Sequence, residues 1–261
     1  MPLIATSYAE AWLEVSELVD LQLSPLGLRA IDALGPKQSD IIIDIGCGAG
    51  QTVLQLAELV GPRGQVIGVD IAPLLLERAR SRASGLSQTR FIACDASSLH
   101  LPKNSVDGIF SRFGVMRFVD PVAAFRNFHS LMKPSRRLAF VCWRSLEENE
   151  LDIMPLRAAN LEAYADKSPF SFEKQEFLYT ILNEAGFRQV HIEPYDCAVS
   201  SGGLEATLDV LLRVGALGKI VRENPKMRVL VESRLRPALA ARIIQDRVSL
   251  NAAVWIVTAG A

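Results

Sequence analysis

Cysteine and histidine are scarce in this sequence, and no two cysteines form a C-x-x-C pair. A structural zinc site usually needs such pairs, so the sequence predicts no metal site. Each cysteine lies in or beside an apolar run, which we interpret as the pattern of small, buried side chains in a reduced, cytoplasmic protein. The four residues are Cys47, Cys94, Cys142 and Cys197.

Long apolar runs and an excess of one charge are also missing. No run approaches the roughly 20 residues of a membrane span. The N-terminal stretch MPLIATSYAEAWLEV lacks the basic and apolar regions of a signal peptide, so none is expected. The formal net charge is −1, whereas proteins that bind nucleic acid usually have a strongly basic balance. We therefore predict neither a membrane nor a nucleic-acid partner, and a single globular domain over residues 1–261.

Strand-like and helical patterns alternate from Ile41 onward. The stretches IIIDI, QVIGVD, RFIAC, VDGIFS and RLAFVCW are predicted strands, with helices at 51–60, 73–83 and 121–132 among them. Strands that are apolar along their whole length, linked by helices, are typical of a parallel sheet with helices on both faces. The sequence therefore predicts an α/β fold.

Helical segments are predicted on both sides of this alternating part. Residues 7–34 have helical spacing, with a second helix start at Ser24 and Pro25. We predict that residues 1–37 form an N-terminal cover and that residues 38–146 form the core. Further helices are predicted at 150–166, 173–185, 203–222 and 225–242, with strands at VHIEPY and AAVWIVTAG.

The stretch DIGCGAG joins the first predicted strand to the next helix. Asp44 ends the strand, and Gly46, Gly48 and Gly50 follow at every second position. Glycine lets a ligand approach the backbone closely, and a helix N-terminus offers unpaired N–H groups. Because ligands of parallel sheets bind at the carboxyl ends of strands, a ligand site is predicted here. A plain tight turn is the alternative.

Two further acids end the next two predicted strands. A carboxylate at Asp70 can accept hydrogen bonds from both hydroxyls of a ribose. Asp95 lies where an adenine amino group would need an acceptor. Each acid alone can be interpreted as a helix N-cap. Acids at three successive strand ends favour a ligand that contains a nucleoside.

The motifs DIGCGAG, GVD and CDA, followed by VDGIFSRFGVMRFVDPVAAF, resemble the class I S-adenosylmethionine-dependent methyltransferases. The likeness is to their small-molecule branch, similar to the ubiquinone/menaquinone-biosynthesis type, and is best over residues 38–146. It implies a Rossmann-like methyltransferase fold, with a doubly wound, mostly parallel, seven-stranded sheet and helical insertions. The last strand of that fold is antiparallel, which AAVWIVTAG fits. Residues 150–172 and 203–242 would form a substrate lid.

The resemblance also implies S-adenosyl-L-methionine as the cofactor. Asp44 and the glycine turn would contact its methionine half, Asp70 its ribose and Asp95 its adenine amino group. Ile71 and Ala96 would pack against the adenine. The full set of implied cofactor-binding residues is Asp44, Gly46, Cys47, Gly48, Gly50, Thr52, Asp70, Ile71, Asp95, Ala96, Ser111 and Arg112.

One turn departs from the family pattern. Members usually carry Pro-Gly-Gly before the fifth strand, whereas KPSRR here places Ser135 and Arg136 at the two glycine positions. The turn lies away from the implied cofactor site. The departure therefore puts the geometry of this turn in question rather than the activity.

No catalytic base is predicted. His100, His129 and His191 lie in a loop, a helix and a late strand, and none lies in the SRFG segment where family members often approach the acceptor. A sulfonium methyl group is already an activated electrophile, so proximity and desolvation can account for the transfer. The histidines are interpreted as structural or surface residues.

Aromatic and apolar side chains outside the core are predicted to shape the acceptor site, although core packing is the alternative. They suggest a small hydrophobic or aromatic metabolite that is methylated on oxygen, nitrogen or carbon by a monomer or homodimer. The predicted substrate residues are Tyr8, Trp12, Phe113, Met116 and Trp143.

Three other functions stay open. An NAD-type oxidoreductase would need glycine or alanine at position 51 to complete G-x-G-x-x-G, and Gln51 stands there. Enzymes that methylate base amino groups typically carry Pro-Pro-aromatic after the fourth strand, where this chain has SRFG. A non-catalytic cofactor-binding protein on the same fold is excluded by no sequence feature.

Overall fold

The computed structural model describes the backbone of residues 2–261 and the side chains from Tyr8 onward. The chain divides into two compact units. The first comprises Met1–Pro25, Trp143–Phe170 and Asp196–Ala253, and the second comprises Leu26–Cys142, Ser171–Tyr195 and Val254–Ala261. The prediction of one domain with a helical cover and a lid stays a prediction.

Helices and strands alternate through the first half of the chain, as predicted. The helices are α1 (Pro2–Glu14), α2 (Ser16–Leu34), α3 (Gln51–Val60), α4 (Pro73–Arg82), α5 (Pro121–Leu131), α6 (Glu150–Ala159), α7 (Gln175–Glu184), α8 (Leu204–Leu211), α9 (Gly215–Glu223) and α10 (Arg228–Ala240). The strands are β1 (Ile41–Ile45), β2 (Gln65–Asp70), β3 (Thr89–Ala93), β4 (Val106–Arg112), β5 (Met132–Trp143), β6 (Arg188–Val199), β7 (Ile243–Ile244), β8 (Arg247–Val248) and β9 (Leu250–Gly260).

Seven strands form one sheet with the order β3-β2-β1-β4-β5-β9-β6. The first five strands pair in parallel with one another. The Ser135 N–H near the start of β5 donates to the Ala261 carbonyl beyond the end of β9, and the Arg144 N–H beyond the end of β5 donates to the Ala253 carbonyl. β9 is therefore antiparallel to β5. The predicted fold class, a mostly parallel seven-stranded sheet, is confirmed.

The core of the second unit lies on the central strands, which are apolar along their length. Ile43, Ile109 and Phe110 are fully buried on β1 and β4, as expected for strands with helices on both faces. On α5, the ring of Phe125 lies 5.6 Å from that of Phe128 and 5.6 Å from that of Phe140 on β5. The second of these contacts packs α5 against β5.

The predicted helix start at Ser24 and Pro25 is wrong, because α2 runs without a break from Ser16 past Pro25. The break between the first two helices lies at Val15 instead. A proline inside a helix removes one hydrogen bond and costs about 3 kcal/mol. The buried Leu23 and Leu26 on either side of Pro25 show that packing stabilises the helix through this position.

Two predicted helices in the first unit differ from the observed helices, one by ending early and one by dividing in two. The helix predicted at 150–166 is observed as α6, which ends at Ala159. The next residue, Asn160, takes a left-handed conformation with φ of 57° and ends the helix. The helix predicted at 203–222 divides into α8 and α9. The Asp152 carboxylate accepts a hydrogen bond from the Ala216 N–H at 3.1 Å and so caps the start of α9.

No helix within residues 2–261 combines the length and hydropathy that crossing a bilayer requires. In the same range, no three or more His, Cys, Asp or Glu residues are grouped as metal ligands.

Candidate functional site

The glycine turn connects β1 to α3 at the carboxyl edge of the sheet. Gly46, Gly48 and Gly50 have φ values of 71°, 53° and 88°, a region that favours glycine. A Cβ atom on Gly46 would lie 2.6 Å from the Gly114 Cα, so the turn packs directly against the end of β4. A Cβ atom on Gly48 would meet nothing within 4 Å. The turn is therefore fixed on one side and open at Gly48.

Asp70 lies at the end of β2 and contacts the glycine turn directly. Its Oδ2 accepts a hydrogen bond from the Gly48 N–H at 2.8 Å, and its Oδ1 accepts one from the Ala72 N–H at 2.9 Å. Burial raises the pKa of Asp70, and these two N–H groups act in the opposite direction. Each carboxylate oxygen can accept more than one hydrogen bond, so the group retains capacity for a ligand.

Asp44 is fully buried at the end of β1. Its Oδ2 accepts a hydrogen bond from the Thr52 hydroxyl, whereas its Oδ1 is buried without a hydrogen-bond partner. Burial raises the pKa of Asp44 to about 7, against the lowering effects of the Thr52 hydroxyl and the Arg112 guanidinium. A cationic group that reached Oδ1 would satisfy this oxygen and stabilise the charged carboxylate.

Ser111 and Arg112 connect the end of β4 to the same turn. The Ser111 hydroxyl donates to the Ile45 carbonyl at 2.8 Å and accepts a hydrogen bond from the Gly114 N–H at 3.1 Å. The Arg112 Nη1 donates to the Gln51 Oε1 at the start of α3. The predicted residues on β1, β4 and the glycine turn thus lie together.

The predicted adenine-side residues lie at the ends of β2 and β3. Ile71 is 70% exposed, so its side chain is open to contact by a ligand. The Cys94 N–H donates to the Asp70 carbonyl at 3.1 Å, so the two strand ends are adjacent. The Asp95 Oδ1 accepts hydrogen bonds from the N–H and the hydroxyl of Ser97, which is the geometry of an N-cap. Ala96 is buried in the short 3-10 turn that follows.

Cys47 lies in the glycine turn and is buried. Burial, together with the nearby Asp44 and Asp70 carboxylates, raises the pKa of its thiol. The thiol therefore stays neutral. A Cβ atom on Gly68 of β2 would lie 2.9 Å from the Cys47 Sγ, so this side chain fills the space between the turn and β2.

The predicted substrate residues are distributed over both units. In the second unit, Phe113 has a φ of 60°, and the carbonyl of the buried Met116 accepts a hydrogen bond from the Ser171 hydroxyl at 2.6 Å. In the first unit, the rings of Tyr8 and Trp12 lie 5.7 Å apart, and Trp143 is buried. That these five residues shape one acceptor site stays a prediction.

The contacts described for the histidines are with residues outside the predicted cofactor set. The His129 ring packs at 5.1 Å from the Phe187 ring, and the His100 ring bonds the Ser98 carbonyl. His191 lies on β6, the strand at one edge of the sheet.

Sequence reasoning missed two glycines that shape the site. Gly114 is the close neighbour of Gly46, and Gly27 in α2 leaves room for the Arg112 side chain. The glycine in SRFG, directly after a strand end, was the available signal for the first. Nothing in the local sequence indicates the second, because its neighbour is distant along the chain.

The sequence profile of the family described as methyltransferase domain matches residues 36–186, which is more than half of the chain. The chain therefore belongs to the methyltransferase domain family. The predicted S-adenosylmethionine-dependent methyltransferase family is confirmed, and the dinucleotide-dependent oxidoreductase alternative is not favoured.

Two relatives and one solved structure illustrate the likeness. Aklanonic acid methyltransferase DauC of Streptomyces sp. strain C5 is 34% identical over 119 residues, covering 45% of this chain and 54% of the relative. This chain thus spans about half the length of DauC. Demethylmenaquinone methyltransferase of Staphylococcus aureus is 25% identical over 193 residues, covering 66% of this chain and 78% of the relative.

The solved structure is phosphoethanolamine N-methyltransferase 2 of Haemonchus contortus in complex with phosphomonomethylethanolamine and S-adenosylhomocysteine. It has a TM-score of 0.58 and 18% identity, and the match covers 90% of this chain and 52% of that one. At this identity the likeness shows the fold alone.

Proposed function

We propose that this protein transfers the methyl group of S-adenosylmethionine to a small-molecule acceptor. The cofactor, when bound, supplies a methyl group on a sulfonium, which needs no further activation. The chain's own residues then have to bind the cofactor and the acceptor, orient one towards the other and exclude water from the site. The observation that best supports this proposal is the buried Asp44 carboxylate with its unpaired Oδ1, in a chain of the methyltransferase family.

The residues at the carboxyl edge of the sheet fit the parts of this cofactor. Asp44 would receive the ammonium of the methionine half, since its Oδ1 lacks a partner and its environment disfavours an isolated charge. Asp70 would receive the ribose hydroxyls beside the Gly48 backbone, where there is open space. The exposed Ile71 would be covered by the adenine, and Asp95 would accept from its amino group.

For the acceptor we propose a small hydrophobic or aromatic metabolite. The support is the aromatic character of the predicted residues, among them Phe113 with its positive φ, a conformation that tends to occur at functional sites. The relatives named for aklanonic acid and demethylmenaquinone are consistent with small organic acceptors. Transfer by proximity and desolvation, a monomeric or homodimeric state and a cytoplasmic location belong to the same proposal.

Calorimetric titration with S-adenosylhomocysteine, S-adenosylmethionine and NAD tests the cofactor assignment. We expect the first two to bind in the micromolar range, roughly −8 kcal/mol, and NAD not to bind. Binding of NAD alone would establish the oxidoreductase alternative. Transfer of labelled methyl groups to a panel of hydroxylated aromatic metabolites then tests catalysis. Cofactor binding without transfer to any panel member would favour the non-catalytic alternative.

A further inference from the structure

We infer that Arg112 is a positioning residue that acts through Asp44, favouring the charged form of this buried carboxylate and so preparing the pocket for the cationic end of the cofactor. The inference rests on the proposed function, because it assigns a task to Arg112 within the same site. It differs from a direct contact between Arg112 and the cofactor, whose loss would weaken cofactor binding equally at every pH.

The Arg112 side chain lies in a space that the fold provides for it. A Cβ atom on Gly27 in α2 would lie 3.0 Å from the Arg112 Cδ and 3.8 Å from the Thr52 Cγ2. Glycine is the least favourable ordinary residue in the middle of a helix, apart from proline. Its presence at position 27 is explained by the arginine side chain that passes between α2 and α3. The fold therefore holds the Arg112 side chain in a defined position between packed elements.

Two adjacent residues of α3 connect the guanidinium to the carboxylate. The Arg112 Nη1 donates to the Gln51 Oε1, and the next residue, Thr52, donates its hydroxyl to the Asp44 Oδ2. A guanidinium stays charged at every physiological pH and carries five N–H donors, so it provides a permanent positive charge here. The bond to Gln51 limits the directions in which that charge can move.

The groups around Asp44 on each packed element show why a positive charge is needed. Burial opposes its ionisation, and the Asp70 carboxylate on β2 adds to this opposition. The Cys47 thiol in the glycine turn stays neutral, because burial raises its pKa. Two groups lower the pKa of Asp44 against this opposition, the Thr52 hydroxyl of α3 and the Arg112 guanidinium of β4. The Arg82 guanidinium of α4 also reaches the glycine turn, where it donates a hydrogen bond to the Ala49 carbonyl.

The charge on Asp44 decides how well the pocket receives a cation. An ammonium gains more from a carboxylate than from a neutral carboxyl group, so cofactor affinity should be full above the pKa of Asp44. It should fall, by up to about tenfold per pH unit, as the pH drops through that value. With Arg112 removed, burial acts without its main opposing charge, and the fall in affinity should move to higher pH.

The experiment compares the unchanged protein with Arg112→Met, Arg112→Lys and Asp44→Asn. Carboxyl NMR of the ligand-free proteins follows the titration of Asp44 from pH 5.5 to 10.5, and calorimetry with S-adenosylhomocysteine follows affinity from pH 5.5 to 8.5. We expect a midpoint near 7 in the unchanged protein. Arg112→Met should raise it by roughly 1–3 pH units, the usual effect of losing an adjacent opposite charge. Arg112→Lys keeps the positive charge, so its midpoint should stay close to that of the unchanged protein. Asp44→Asn should make affinity independent of pH.

The outcomes separate the inference from the function on which it rests. An Asp44 midpoint that is the same with and without Arg112 would overturn the inference. So would a loss of affinity in Arg112→Met that is equal at every pH, since this is the result of a direct contact. A shifted midpoint in a protein that binds no S-adenosylhomocysteine would overturn the proposed function alone. Melting temperatures identify an unfolded variant, and Arg112→Lys then carries the comparison.

Discussion

At the scale of single residues, the three glycines of the turn differ in what restrains them. Gly46 has a positive φ and touches the backbone of Gly114, and Gly50 has a positive φ and would touch Ala79 if it carried a Cβ atom. Gly48 has a positive φ but open space beside it. Gly46 and Gly50 are therefore needed for the fold itself, whereas the open side of Gly48 is available to a ligand.

Alanine at Gly46 and at Gly48 should separate these roles. Gly46→Ala should destabilise the protein by roughly 3 kcal/mol, because a strained φ is combined with a backbone clash. Gly48→Ala should cost only about 1–2 kcal/mol, the strain of a left-handed alanine. It should nevertheless weaken S-adenosylhomocysteine binding at least about tenfold, or 1.4 kcal/mol, because the methyl group occupies the open space. Urea unfolding and calorimetry measure the two effects. Unchanged affinity in Gly48→Ala would mean that the cofactor does not approach this backbone.

Asp70→Asn tests the ribose assignment. Both oxygens of the Asp70 carboxylate accept backbone hydrogen bonds, from Gly48 and Ala72. An amide has one acceptor oxygen, so one N–H loses its partner, and stability should fall by about 1–3 kcal/mol. If the ribose binds there, cofactor affinity should also fall roughly 10- to 100-fold.

Asp120→Asn is the matched control for this substitution. Asp120 caps α5 through a hydrogen bond from the Ala123 N–H at 2.9 Å and belongs to no predicted site. Asparagine is an equally good N-cap, so neither stability nor cofactor affinity should change much. Lower stability with unchanged affinity in Asp70→Asn would show that Asp70 serves only the turns around it.

At the scale of elements, the departure KPSRR changes how β5 begins. Ser135 takes a φ of 63°, where glycine is the usual residue, and it lies within the register shift between β4 and β5, which falls between Met132 and Arg137. Lys133 and Arg136 bind the Asp107 carboxylate at 2.9 Å and 2.6 Å. Burial would raise the pKa of Asp107, but these cations and the Ile41 N–H hold it below its usual range. Charge pairing thus stabilises a turn that lacks its glycines.

Ser135→Gly should therefore stabilise the protein. Relief of the left-handed serine is worth about 1–2 kcal/mol, and the greater freedom of glycine in the unfolded chain offsets roughly half of this. We expect a net gain of about 0.5–1 kcal/mol in urea unfolding. Ser130→Gly is the contrasting control, because Ser130 lies in the last turn of α5, where its hydroxyl donates to the Asn127 carbonyl, and the same change there should lower stability. A loss of stability in Ser135→Gly would mean that the serine makes a favourable contact of its own.

The elements that sequence could predict are those whose signals are local. Continuous apolar strands, helical spacing and the glycine turn identify β1 to α5 with boundaries close to those observed. The gap between α8 and α9 depends on Asp152, which is distant along the chain, and α2 passes through Pro25 because of packing. The β7–β8 hairpin turns at Gln245 and Asp246, both with positive φ, although hairpin turns of this kind usually carry Asn-Gly or Asp-Gly.

The site was predictable to a similar extent. The acids and glycines at strand ends are visible as motifs, and the positions of Asp44, Asp70 and the glycine turn agree with a common location. What sequence could not show is the environment of each acid. The burial of Asp44, the two hydrogen bonds to Asp70 and the cap geometry of Asp95 all depend on residues from other elements.

At the scale of the whole molecule, the buried Asp44 opposes folding at neutral pH. Its pKa is raised from 3.8 to about 7 in the folded protein, so the folded state binds more protons between these values. Stability from this group is therefore lost as pH rises from about 4 to 7, by at most roughly 4 kcal/mol. A ligand cation at Oδ1 would remove this loss.

Asp44→Asn should abolish this contribution. Between pH 5 and pH 8, the unfolding free energy of the ligand-free protein should fall relative to that of the variant, because only the unchanged protein has to ionise the buried group. Urea unfolding at both pH values gives the difference. Parallel pH profiles for the two proteins would show that Asp44 ionises without difficulty, through solvent access or a closer positive charge.

The position of β9 has a consequence for how the chain is made. β9 follows every other strand in the sequence, yet it lies between β5 and β6 in the sheet. During synthesis, β5 has an open edge and β6 has no strand to pair with until residues 250–260 have left the ribosome. An open edge invites pairing with other chains. A nascent chain that stalls before residue 250 would therefore be a substrate for chaperones rather than a smaller folded protein.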